Sequence, residues 1–140
     1  MTADRVRLGL AGMFLVSLVA ELLVIAHVSG RMWPDKAQGI VTKLFGVYSV
    51  PFGIILGGMF AQRRSERPAS EPAISWFALS LAAVWNLLFV VRSLRLSFSG
   101  SGDSVHDFTT YLDKVSAASF FLISSALTFY FAHSAKRANK

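Results

Sequence analysis

Cysteine is absent from the 140-residue chain. That excludes disulfides, thiolate metal sites, thiol redox chemistry and haem attachment through Cys-x-x-Cys-His. Charge is scarce: 16% of residues are Asp, Glu, Lys or Arg, against about 25% in a typical soluble domain. A phosphate-binding glycine loop, a Ser/His/Asp pattern and an HExxH sequence are also missing, so no motif names a reaction and we expect no enzyme. Basic residues lie in loops rather than interleaved with aromatics, which argues against nucleic acid. Haem b calls for facing histidines at one depth. His27, His106 and His133 fall at three different levels, so no cofactor is expected.

What the chain has is apolar length. Hydrophobic residues make up 54% of it and mean hydropathy is +0.52. Four apolar runs stand out, at about 8–28, 40–61, 73–91 and 116–132. Roughly 20 apolar residues cross the hydrocarbon core as a helix, so each run has the length of a span. A cleaved signal peptide is the rival for the first run. That run exceeds the roughly 7–15 residues of a signal core, and Glu21 interrupts it. We therefore expect one membrane domain over 1–140, an all-α bundle of four transmembrane helices.

The connections differ. Residues 29–39 make a short turn containing Trp33, Pro34 and Asp35, and 62–72 read QRRSERPASEP, an exposed polar loop. Residues 92–115 form the longest connection, broken at Gly100, Ser101 and Gly102. Val105, Phe108, Leu112 and Val115 then recur at helical spacing, and Ser104 with Asp107 resembles a capping box. An amphipathic extramembrane helix over 104–115 is expected. With no Gly or Pro from Ser104 to Lys140, it should run on into the fourth span or meet it at a slight bend.

Sidedness follows from Lys and Arg. With the N-terminus cytoplasmic, that side holds Arg5, Arg7, Arg63, Arg64, Arg67, Lys136, Arg137 and Lys140, for a net +5. The other side holds Arg31, Lys36, Lys43, Arg92, Arg95 and Lys114, for a net +2. Both termini are expected in the cytoplasm, of a bacterial-type inner membrane, where the basic clusters suit anionic lipid headgroups.

Glu21 is the residue to explain, because an intramembrane carboxylate is costly unless paired, protonated or wet. Helices rise about 1.5 Å per residue. Counting from the inner edge sets Tyr48 and Asn86 at the depth of Glu21, with His27, Lys43 and Arg92 as a basic ring about two turns further out. Glu21 then either binds a proton or cation, shaped by Tyr48 and Asn86, or fixes helix register through Asn86 or Lys43. Interhelical contacts of that kind contribute about 0.6–2 kcal/mol. A carboxylate in the first of four short spans resembles the small multidrug-resistance transporters, although this chain is longer and its loops larger.

The second run carries Gly46, Ser49, Gly53, Gly57 and Ala61 at spacings of three or four, a small-residue ridge for close helix approach. Pro51 frees the carbonyl of Val47 and predicts a kink. Trp33, Trp76 and Tyr130 fall near the interfaces as anchors, and Trp85 falls deeper, in the core. Asp103, His106 and Asp107 sit at helical spacing, which can gather metal ligands but more commonly caps a helix start, so no metal is expected. Three functions remain: an assembly with itself or as an accessory subunit of a larger membrane complex; an oligomeric transporter or channel using Glu21; and the membrane-anchor subunit of a redox enzyme.

Overall fold

The computed structural model describes residues 3–31, 33–62, 72–99 and 102–137. They form four helices: α1 (Ala3–Ser29), α2 (Pro34–Gln62), α3 (Pro72–Ser99) and α4 (Gly102–Arg137). No strand occurs among the described residues. The basic loop with Arg63, Arg64 and Arg67, and the terminal Lys140, lie outside them.

Helix starts follow local chemistry. Pro34 opens α2 and Pro72 opens α3, at the one helical turn where a missing N–H costs nothing. The Trp33 carbonyl accepts from the Lys36 and Ala37 N–H groups at 3.0 and 3.3 Å, and Asp35 meets the positive end of the α2 dipole.

α1, α2 and α3 are each long and apolar enough to cross a membrane; α4 holds a shorter apolar stretch, Phe120–His133. Three such helices mark a membrane protein. The outer surface agrees: Leu8, Leu23, Phe77, Leu87 and Phe121 stand more than 60% exposed, a coat that suits lipid and not water.

Each helix buries one stripe at spacings of three and four. On α1 it is Val6, Leu10, Phe14, Leu18, Glu21, Ile25 and Val28; on α2 it is Ile40, Leu44, Val47, Tyr48, Pro51 and Ile55. The helices pack as a ring in the order α1, α2, α4, α3, so α1 lies diagonal to α4 and α2 diagonal to α3.

Three expectations change here. Within the connection expected over 92–115, residues 92–99 and 102–103 are helical as well as 104–115. α3 continues to Ser99 because Ser93 and Leu96 extend its buried stripe, and Arg92 and Arg95 lie on that helix rather than in a loop. α4 begins at Gly102, two residues before the expected cap at Ser104, and runs on through 115–116 as one helix, the first of the two expected courses. Val105, Phe108 and Leu112 are buried within the bundle, not on a separate surface helix. Tyr130 is fully buried rather than an interfacial anchor, its ring 5.0 Å from that of Phe131. Trp33 and Trp76 are exposed near helix starts, and Trp85 is buried.

Candidate functional site

Glu21 lies on the buried stripe of α1 and is fully enclosed. The Tyr48 hydroxyl, from α2, donates to Glu21 Oε1 at 2.6 Å. Ser17, one turn earlier on α1, stands beside the Tyr48 hydroxyl as a second hydrogen-bonding group. Glu21 Oε2 has no hydrogen-bond partner among the described residues.

Aromatic rings wall the site. Tyr48 packs against Phe14 at 6.1 Å, Trp85 at 5.2 Å and Phe89 at 6.4 Å, each near edge-to-face. Phe52 closes on Phe14 and Tyr48, and Tyr111 of α4 reaches Phe89 at 5.8 Å. A carboxyl group so placed has little to bond with except the Tyr48 hydroxyl. The remaining oxygen calls for a proton, a cation or a water to answer it, because an unpaired polar atom is costly to bury.

Asn86 does not join this pair. Its Nδ2 donates to the Ala82 carbonyl of its own helix at 2.8 Å, and its side chain lines a groove between α1 and α3 together with Ser17. α3 brings Asn86 to the groove beside Ser17, one turn before Glu21 on α1, and not to Glu21 itself. Asn86 Oδ1 has no partner among the described residues, though the residue is only 4% exposed.

The three outer basic residues are also drawn apart. Lys43 Nζ meets Asp113 Oδ2 of α4 at 2.6 Å, and the Arg92 guanidinium lies 5.3 Å from the centre of the Tyr111 ring, also on α4. His27 is exposed. Two of the three thus tie α2 and α3 to α4 instead of closing a ring over Glu21. The Lys43–Asp113 pair is 41% and 59% exposed, so it contributes about 0–1 kcal/mol. Sequence reasoning passed over Asp113 and Tyr111 because it assigned both to an extramembrane helix.

The small-residue ridge faces outward. Gly46, Ser49, Gly53 and Gly57 are exposed, and a Cβ added at Gly46, Gly53 or Gly57 would meet nothing within 4 Å. Ala61 is helical, its side chain outside the described residues. Close approach inside the bundle belongs to Gly58, where a Cβ would collide with the ring of Phe131 on α4. Pro51 is buried within α2, which stays helical through it.

His106 and Asp107 are exposed on the first turns of α4; the Asp103 side chain lies outside the described residues. No group of three His, Asp or Glu side chains gathers among the described residues. No protein-family model, curated protein or solved structure matches the chain.

Proposed function

We propose that this chain is a non-enzymatic, multi-pass membrane protein that works as an assembly, with α2 supplying the contact between copies. α4 completes four crossings, leaving both termini in the cytoplasm of a bacterial-type inner membrane. The observation that carries this reading is the outward ridge. Gly46, Ser49, Gly53 and Gly57 share one exposed face of α2, and open space lies beside the three glycines. In lipid, helices associate through close packing of small residues, because hydrocarbon outside and apolar side chains inside offer no transfer gain. The face opposite packs the protein's own core, so this stripe is available to a neighbour.

Gly53→Leu puts a branched side chain on that face without touching the bundle interior. Association in mild detergent, read by native mass spectrometry, should weaken at least tenfold while the fold persists. An unchanged mass distribution would remove α2 as the contact.

A second reading, transport or conduction, is favoured by one observation: Glu21 is fully enclosed yet keeps one oxygen without a partner. Glu21→Gln keeps the shape and a hydrogen bond to Tyr48 but removes the titratable proton. In proteoliposomes, cation or proton flux should fall at least tenfold and lose its pH dependence. Flux that survives with its pH profile intact would exclude Glu21 from transport.

A further inference from the structure

The ion pair between Lys43 and Asp113 heads a groove between α2 and α4 that Glu21 does not use. The groove holds about 250 Å³, and Gly46, Val47, Ala117 and Phe120 line it beside the pair. Among its lining residues only Lys43 and Asp113 are charged. It is therefore charged at one end and apolar along the rest.

Depth explains that arrangement. Residues 44–61 of α2 contain no Asp, Glu, Lys or Arg, and neither do residues 115–135 of α4. At 1.5 Å per residue the α2 run is about 27 Å long, close to the roughly 30 Å of hydrocarbon. Lys43 thus stands where hydrocarbon meets headgroups, and the 2.6 Å bond from its Nζ holds Asp113 Oδ2 at the same level. Gly58 approaches Phe131 further along the same two helices, so α2 and α4 run parallel, inward from the pair. From Asp113 to Phe120 the groove follows about 10 Å of helix.

Size and charge select the occupant. A helix about 10 Å across fills roughly 420 Å³ per turn, so a partner helix is too thick to enter. The volume also falls below the roughly 300–1,000 Å³ of sites that enclose a small molecule. A single acyl chain is narrow and apolar enough. At the charged end, an ammonium carries three donors and Asp113 takes one of those of Lys43, which is 41% exposed; Asp113 is 59% exposed. A cation and an anion are thereby offered side by side. A headgroup with one phosphate and one primary ammonium matches both through charge-assisted hydrogen bonds. A net anionic headgroup answers Lys43 but is repelled by Asp113. A choline headgroup has no N–H to give the carboxylate.

We propose that the α2–α4 groove binds one phosphatidylethanolamine molecule, its phosphate on Lys43, its ammonium on Asp113 and one acyl chain along Gly46, Val47, Ala117 and Phe120.

The test adds dioleoyl phosphatidylethanolamine, phosphatidylcholine or phosphatidylglycerol stepwise to the full chain in dodecyl maltoside, and native mass spectrometry counts lipid bound per copy. Phosphatidylethanolamine should saturate at one per copy and bind at least fivefold more tightly than either of the others. Asp113→Asn should abolish its advantage over phosphatidylcholine and raise phosphatidylglycerol binding at least fivefold, because Lys43 then meets an anion unopposed. Lys43→Gln should weaken phosphatidylethanolamine at least fivefold. Ala117→Phe, which fills the groove from α4 and leaves the α2 ridge intact, should weaken all three lipids. Equal binding of the three lipids to the unmodified chain overturns the proposal, and so does a phosphatidylethanolamine preference that survives Asp113→Asn. Tightest binding of phosphatidylglycerol to the unmodified chain would assign the lipid to basic residues such as Lys114 and also overturn it. Should a charge variant fail to fold, the lipid comparison and Ala117→Phe decide.

Discussion

Trp85→Ala is expected to lower stability by about 3 kcal/mol, at the low end of the roughly 3–5 kcal/mol found for Trp or Phe truncation in soluble cores. Trp85 is 4% exposed, with ring neighbours Phe89 at 4.6 Å, Tyr48 at 5.2 Å and Phe14 at 5.3 Å. Removing it opens a void that three other aromatics line. The low end applies because part of the soluble cost is exposure to water, and here the unpacked side chain meets lipid instead. What remains is lost dispersion contact and lost ring pairing, about 0.5–1.5 kcal/mol for each favourable aromatic pair. Trp76, 61% exposed near the start of α3, is the control: Trp76→Ala should stay within about 0.5 kcal/mol. Thermal unfolding in detergent, followed by helix signal, reads both. Equal losses would mean that the aromatic cluster does not hold the bundle together.

Gly58→Ala and Gly57→Ala should have opposite signs, although the two residues are neighbours. At Gly58 a Cβ runs into the Phe131 ring, which is itself buried, so α2 and α4 must separate or Phe131 must leave its site. Overpacking of that kind costs about 1–3 kcal/mol. At Gly57 the added methyl meets open space, and replacing a mid-helix glycine by alanine contributes up to about 1 kcal/mol of stability. Both are measured by the same unfolding assay, at detergent dilutions where copies are apart. Two losses of similar size would show that α2 is rotated from the orientation described here.

The contrast also shows where sequence stops being informative. Membrane helices are apolar on the lipid side and on the core side, so period alone does not say which face is which. Gly46, Ser49, Gly53 and Gly57 announce a close-packing stripe, but their spacing carries no direction. It is Phe131, far along the chain, that makes Gly58 a point of close approach to α4. Depth, by contrast, is legible, because rise per residue is fixed. Counting alone sets Tyr48 level with Glu21, and their 2.6 Å hydrogen bond has that origin. The same counting does not bring Asn86 to Glu21, because rotation about the helix axis turns its side chain to the α1–α3 groove. The length of α3 is hidden for another reason. Arg92 and Arg95 read as loop charges, yet long basic side chains sit comfortably on a helix when their charged ends find water or, for Arg92, an aromatic face.

The ring order has a consequence in time. A ribosome delivers α1, α2 and α3 before α4, and α2 and α3 lie diagonally opposite, so the three early helices leave one quarter of the bundle open. That gap is where α4 seats between α2 and α3. Its apolar stretch among the described residues, Phe120–His133, is shorter than those of α1, α2 and α3. The last helix therefore relies on the groove its predecessors prepare: Gly58 admits Phe131, Lys43 meets Asp113, and Phe89 and Arg92 receive Tyr111. If α4 crosses the membrane as proposed, its insertion and the completion of the fold are one event, and a defect in the first three helices would strand it outside the membrane.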